Sequence, residues 1–256
     1  MILQEKKKTT SGTKEWADYN VNCIKGCSND CRYCYAKIMA KRFGRNTEDN
    51  WKMSQVNKKI VDGSFRKYNG RVMFPSSHDI VDTPEVREAC FTVINKLLKA
   101  GNELLITTKP KLNIVKDITS LFVQYQSQIQ FRFTITSTND KLLLFWEPNA
   151  PLFNERFAAL KYAFKKGYKT SVSIEPFLDA HPGKLVNTVF PFTTESIWLG
   201  IMNYIPQNGI REKDRQQYQE IRKNYKLNHL QDIFSEYKNY PKIRFKDSIK
   251  IKLGLS

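Results

Sequence analysis

The sequence predicts an α/β fold: a partial (β/α)6 barrel of the TIM-like kind, with a basic α+β cap at its C-terminal end. Three observations predict it. Six short apolar runs each give way to a polar loop. The stretches between them carry apolar residues at three- and four-residue spacing, the period of a helix. Strand and helix keep alternating from residue 18 to residue 206, the order that builds a parallel sheet curved toward a barrel.

Residues 1–17 form a polar lead-in, and Lys6-Lys7-Lys8 and Ser11-Gly12 predict a mobile or surface-draped arm. The first strand is expected over 18–24, feeding a cysteine-rich loop at 26–34 and a helix that ends near Gly44. Residues 45–70 are polar and predict an irregular excursion with a short helix near 54–61. A strand at 71–74 follows. Thr83-Pro84-Glu85 then supplies an N-cap, a first-turn proline and a first-turn acid. Val86, Ala89, Cys90, Val93, Ile94, Leu97 and Leu98 recur at helical spacing up to the stop at Gly101. Further strands are expected at 103–107, 131–136, 170–175 and 197–201, with helices near 112–125, 154–166 and 183–190. The cap, 207–256, predicts helices at 211–225 and 228–238 and then an alternating Ile243-Arg244-Phe245-Lys246.

A chain of 256 residues with 41 % hydrophobic and 12 % aromatic residues has material for a single barrel-sized core. The longest apolar runs, such as Leu142-Leu143-Leu144-Phe145-Trp146, fall far short of a membrane span. The N-terminus has no apolar signal core, so a reducing, cytoplasmic setting without membrane attachment is expected. The net charge of +17 is uneven: +9 over 1–71, +2 over 72–206 and +6 over 207–256. A basic margin attracts a polyanion such as DNA or RNA, although a solvated basic surface gives the same composition. Tyr204, Tyr218, Tyr225, Tyr237 and Tyr240, set among basic residues, fit either base stacking or capping of the barrel's open end.

In parallel barrels chemistry sits on the loops beyond the strand C-termini. That rule selects Cys27, Cys31 and Cys34 after the first strand, and Ser76, Ser77, His78 and Asp79 after the second. It also selects Thr107, Thr108 and Lys109, then Ser137 and Asn139, then Glu175 and Asn203. Three cysteines spaced C-x3-C-x2-C offer thiolates to one soft metal centre, an iron–sulfur cluster or zinc. With Cys23 a cramped four-cysteine zinc site is the alternative, and a buried apolar role is the plainer reading of that residue. A four-iron cluster on three cysteines leaves one iron open, as catalytic metals require.

The loop from Gly26 to Ala36, with aromatic Tyr33 inside its last C-x2-C, resembles the cluster motif of the radical S-adenosylmethionine superfamily. Residues 34–42, 106–110, 147–151 with Arg156, 173–176 and 245–248 are similar to its spore photoproduct lyase-like and phage-encoded branches. The resemblance implies a [4Fe-4S] cluster on Cys27, Cys31 and Cys34, with S-adenosylmethionine bound at its open iron. A reducing electron donor then triggers cleavage to a 5′-deoxyadenosyl radical. It further implies cofactor contacts from Tyr33, Ser77, Asp79, Lys109, Ser137, Arg156 and Glu175, with Ser137 and Glu175 near the ribose and methionine. Plainer roles stand beside these: a Glu175–Arg156 ion pair, a solvated turn at Lys109, a backbone bond from His78 and a core position for Cys90. Ser76-Ser77-His78-Asp79 departs from the Gly-Gly-Glu-like turn of the superfamily, and no spare cysteine offers itself as a hydrogen donor. The expected substrate is a nucleic acid or nucleotide. The rivals are a peptide or small metabolite under the same chemistry, and a non-catalytic metal-stapled nucleic-acid-binding module.

Overall fold

The computed structural model describes residues 12–45 and 50–255. The lead-in's Lys6-Lys7-Lys8 and Ser11 lie outside them. Seven strands form one all-parallel sheet: β1 (Tyr19–Asn20), β4 (Val72–Phe74), β5 (Leu104–Thr108), β6 (Ile129–Thr134), β7 (Lys169–Ile174), β8 (Ile197–Leu199) and β9 (Ile243–Phe245), hydrogen-bonded in that order. Because β1 and β9 do not pair, the sheet is a curled, open half-barrel.

Six strands were expected. The seventh comes from the cap, where Ile243 and Phe245 pair in register with Ile197 and Leu199. The alternation over 243–246 is therefore a barrel strand. Its Pro241 precedes the strand and removes no ladder bond. The predicted first strand also divides. Only Tyr19–Asn20 joins the barrel, while β2 (Ile24–Lys25) turns away to pair antiparallel with β3 (Gln55–Val56). The excursion over 45–70 thus holds a strand and the short helix α2 (Lys58–Asp62).

The helices α1 (Tyr35–Arg42), α3 (Pro84–Lys99), α4 (Leu112–Leu121), α6 (Phe153–Lys165) and α7 (Gly183–Val189) follow the expected alternation. α5 (Asp140–Trp146) was not anticipated. Its apolar run has no helical stripe, and its start is set by Asn139, whose side chain accepts from Lys141 N–H at 3.0 Å. The cap adds α8 (Arg215–Asn224), α9 (Leu227–Tyr237) and α10 (Asp247–Lys252). Tyr218, Tyr225 and Tyr237 are buried, so only Tyr204 and Tyr240 among the five cap-side tyrosines are exposed. No helix among the described residues is long and apolar enough to cross a membrane.

Alternation along the strands separates two environments. Phe131, Phe133, Val172, Ile174, Ile197 and Leu199 point outward into the core under the helices. Their neighbours Gln130, Arg132, Thr134, Ser171, Ser173 and Trp198 face the barrel interior, which is therefore polar rather than filled with branched apolar layers.

Residues 12–17 of the lead-in are knitted to the far end of the chain. Lys246 Nζ donates to Gly12 O at 2.6 Å and pairs with Glu15, and Gly12 N–H donates to Asp247 at 2.8 Å. Trp16 packs edge-on to Trp198 at 5.9 Å, and Arg132 lies 4.5 Å from the Trp16 ring. Lys246 is 2 % exposed, so loss of its partner strands a buried charge. Glu15→Gln is expected to cost ~3 kcal/mol in denaturant unfolding. Adding Lys246→Met should return much of that, and two additive losses would show that the pair is not coupled.

Candidate active site

The cysteine loop runs between β2 and α1 and has little regular structure of its own. Its entry turn needs glycine. Gly26 has φ 85°, and a Cβ there would collide with the carbonyl oxygen of Trp51. Cys27 N–H donates to that same carbonyl at 2.8 Å, and Ser28 N–H to Ser54 Oγ at 3.0 Å. Cys34 closes a turn onto Cys31 O at 3.1 Å, and its sulfur caps α1 by accepting from Lys37 N–H at 3.4 Å.

Two buried carboxylates hold the loop from outside. Asp79 accepts from Asn29 Nδ2 at 2.8 Å, from Lys109 N–H at 3.0 Å, from Ile80 N–H at 2.8 Å and from the Thr108 hydroxyl. It thereby joins the cysteine loop to the end of β5. Glu147 accepts from the Tyr33 hydroxyl, from Thr136 at 2.7 Å and from the Arg156 guanidinium. Burial pushes the Glu147 carboxyl up, but the charges of Arg156 and Lys109 and the Tyr33 bond outweigh it and hold the group below its usual range. Bonds to backbone carbonyls complete the support: Arg32 N–H donates to Trp146 O at 2.8 Å, and the Asn149 side-chain amide donates to Ser28 O at 2.9 Å.

These segments enclose a cavity of about 660 Å³ at the C-terminal end of the barrel. Eight of the ten residues expected at the site line it: Cys27, Cys31, Cys34, Tyr33, Ser77, Asp79, Lys109 and Glu175. Arg156 and Ser137 do not. Arg156 is fully buried and paired with Glu147 rather than Glu175, with its remaining donors on Pro151 O (2.6 Å) and Thr134 O (3.3 Å). Ser137 is fully buried too, donating to Asp179 at 2.7 Å. Lys109 is no solvated turn. Its ammonium lies 5.7 Å from the Tyr33 ring, and although burial works against its charge, Cys31, Glu147 and Asp79 hold it protonated.

His78 reaches the wall with both nitrogens engaged, Nε2 accepting from Cys23 N–H at 3.2 Å and Nδ1–H donating to Asp79 O at 3.0 Å. Behind it Cys23 and Cys90 are buried, unbridged and 3.8 Å apart at sulfur. Sequence reasoning missed Trp16, Lys246 and Asp247 on the opposite wall, and the supporting role of Asn29 and Glu147. The resembling segments 26–36, 147–151 and 245–248 contain Asn29, Glu147, Lys246 and Asp247 without assigning them a role, and Trp16 lies in none of them.

The donor set suits a polynuclear soft centre. The three thiols share one wall and are desolvated: burial and the Asp79 charge push Cys27 up to about 12, burial pushes Cys31 well above its usual value, and burial raises Cys34. An iron–sulfur core offsets such crowding by ligating the thiolates. Among the described residues, no three His, Cys, Asp or Glu side chains are gathered closely enough for a single ion.

Residues 21–180 match the family model described as the Radical SAM superfamily. The chain belongs to the Radical SAM superfamily. Among curated proteins it is similar to the uncharacterized protein MJ0683 of Methanocaldococcus jannaschii, 30 % identical over 182 residues, which cover 70 % of this chain and 68 % of that one. It is also similar to the uncharacterized protein ORF301 of Acidianus two-tailed virus, 29 % identical over 175 residues, 64 % of this chain. That match spans 57 % of the viral protein's length. Among solved structures, a spore photoproduct lyase mutant with bound AdoMet and dinucleoside spore photoproduct superposes with TM-score 0.55 at 16 % identity, covering 93 % of this chain and 78 % of that one. Streptococcus suis SuiB bound to the precursor peptide SuiA gives TM-score 0.51 at 13 % identity, covering 92 % and 49 %. These structural likenesses establish a shared fold.

Two outcomes follow from the carboxyls. Glu147→Gln leaves Arg156 buried without a charged partner and is expected to cost ~3 kcal/mol in denaturant unfolding of the iron-free protein. Glu175 behaves oppositely. Burial raises its pKa from 4.5 to about 7, so the folded state binds the extra proton and stability falls as pH rises from 4.5 through 7. Glu175→Gln should therefore raise the melting temperature by about 5 °C at pH 8 and leave it unchanged at pH 4. An equal effect at both pH values would show that the carboxyl is not so held.

Proposed function

We propose that this radical SAM protein is an enzyme that carries a [4Fe-4S] cluster on Cys27, Cys31 and Cys34 and acts on a nucleic acid or nucleotide. The observation that supports it is the convergence of the three thiols with Ser77 and Lys109 on one cavity. When bound, the cluster supplies the electron that cleaves the sulfonium of S-adenosylmethionine and so releases a 5′-deoxyadenosyl radical.

The chain's own residues bind and orient. Lys109, held protonated, is suited to the methionine carboxylate, and Ser77 offers a hydroxyl beside it. Asp79 acts behind them, because its oxygens are taken by Asn29, Thr108 and the Lys109 amide. Tyr33 is tied to Glu147 and lends the cofactor a fixed surface, not a free hydroxyl. Arg156 and Ser137 position other groups from behind the wall. Electrons must come from a reducing donor outside the chain, and a reducing, cytoplasmic setting suits the unpaired cysteines.

The nucleic-acid reading draws on the +17 charge and on the dinucleoside spore photoproduct bound in the lyase structure. A peptide is the alternative, suggested by the precursor bound to SuiB.

Anaerobic reconstitution with iron and sulfide tests the proposal. We expect about four irons per chain, and 5′-deoxyadenosine once dithionite and S-adenosylmethionine are added. Cys27→Ala, Cys31→Ala and Cys34→Ala should each abolish both, while Cys23→Ala and Cys90→Ala retain them. Stoichiometric zinc with no 5′-deoxyadenosine would establish the metal-stapled binding module instead. Binding to single-stranded DNA or RNA should weaken steeply with salt, and absent or salt-insensitive binding favours the peptide or metabolite.

A further inference from the structure

The cavity has two ends with separate sets of charges. Cys27, Cys31 and Cys34 feel Asp79, Lys109, Glu147 and one another. Glu175, beyond β7, feels Lys246 and Asp247 from the β9–α10 junction, Glu15 from the N-terminal segment and Arg132 from β6. In the sheet order β4, β5 and β6 lie between β1, on the cysteine-loop side, and β7.

At this second end Lys246, Asp247 and Arg132 are each committed. Lys246 is bonded to Gly12 O and paired with Glu15, and Asp247 accepts from Gly12 and Ser248 N–H. Arg132 donates to Ser171 at 3.1 Å and lies over the Trp16 and Trp198 rings. Glu175 lines the cavity, and among the described residues no hydrogen bond or ion pair reaches its carboxyl. Its position is nonetheless fixed. The β8 end approaches so closely that a Cβ on Gly200 would stand 2.7 Å from Glu175 Cγ. Trp16, packed against Trp198 and under Lys246, lines the same cavity with a buried indole N–H that has no acceptor among the described residues.

We propose that this end of the cavity is the substrate subsite, in which the Glu175 carboxyl reads the edge of a single nucleobase and Trp16 walls it. The proposal rests on the reading of the chain as a radical SAM enzyme of nucleic acids, and it moves Glu175 from the cofactor to the substrate. A neutral carboxyl presents one donor and one acceptor side by side, and the Watson–Crick edges of adenine, cytosine and thymine present the complementary pair. A trans peptide group turns its N–H and C=O to opposite sides and does not match. Burial, which raises Glu175 to about 7, keeps a neutral fraction near physiological pH. A base reaches such a recess by leaving its stack, a cost of the kind met by enzymes that act on extruded bases.

The test is equilibrium binding of deoxyadenosine, deoxycytidine and thymidine to the anaerobically reconstituted full chain, separate from turnover. The tightest binder should bind about tenfold more weakly at pH 8 than at pH 6, with a midpoint near 7. Glu175→Gln keeps a donor–acceptor pair and should bind with no pH dependence. Glu175→Leu should lose about tenfold or more at pH 6. Binding by wild type that is absent, or equal at both pH values, overturns the proposal. So does a Glu175→Leu variant that loses S-adenosylmethionine affinity instead. A wild type that forms 5′-deoxyadenosine yet binds none of the three overturns this proposal alone. One that forms no 5′-deoxyadenosine overturns the reading beneath it as well.

Discussion

A short loop that carries three thiols has too little regular structure to fix their positions, so its geometry must be imposed by what surrounds it. Here two buried carboxylates impose it. Asp79 grips the loop through Asn29 while accepting from Thr108 and the Lys109 amide, so the thiols and the cationic side of the cavity move as one body. Glu147 grips it through Tyr33 and is itself held by Arg156. A buried carboxylate with all its bonds made is a stiff support, and one left half-satisfied is costly. That asymmetry makes these supports more constraining than the surface ion pairs, such as Arg215–Glu212, which contribute little.

The barrel interior follows a different logic from its outer face. Outward residues of β6 and β7 build an ordinary apolar core, whereas inward residues are polar and leave open space where an apolar barrel would be filled. Arg132 and Lys246 inside such a space need partners, and Trp16, Trp198 and Glu15 supply them. The two ends of the chain are joined for that reason. Without residues 12–16, the Lys246 ammonium would lose Glu15, the Gly12 carbonyl and the Trp16 ring and be left with Asp247 at 4.0 Å as its ion-pair partner.

The parts of this arrangement legible in sequence were those written in local pattern. The C-x3-C-x2-C spacing, the capped helix opening at Thr83-Pro84-Glu85 and the apolar strand runs each carry their signal within a dozen residues. Lys109 and Glu175 were legible because strand ends in a parallel barrel point to one rim. Arg156 and Ser137 were misplaced because direction is not encoded in spacing: both share the rim's neighbourhood yet face away from the cavity. The place of the seventh strand was hidden for a thermodynamic reason. The alternation over Ile243-Arg244-Phe245 was visible, but three residues do not say which sheet they join, and they join the barrel because the edge of β8 is there to receive them. Trp16 had no signal at all, since its position depends on Arg132 and Lys246, over a hundred residues away.

Joining the chain ends also gives the uneven charge a spatial meaning. The basic excess lies in 1–71 and 207–256, and these regions meet where Gly12 and Glu15 bond Lys246 and Asp247. Exposed Lys14 and Tyr35 stand on the cavity lining, and Tyr35 stacks on Tyr204 at 6.1 Å. On the proposed nucleic-acid reading, Lys14 brings part of that charge to the cavity itself, so attraction and recognition act at one place. The mouth needs no sequence-reading surface for this. On that same proposed reading, phosphate contacts bring the strand, and selection is left to whichever group fits the recess that Glu175 lines.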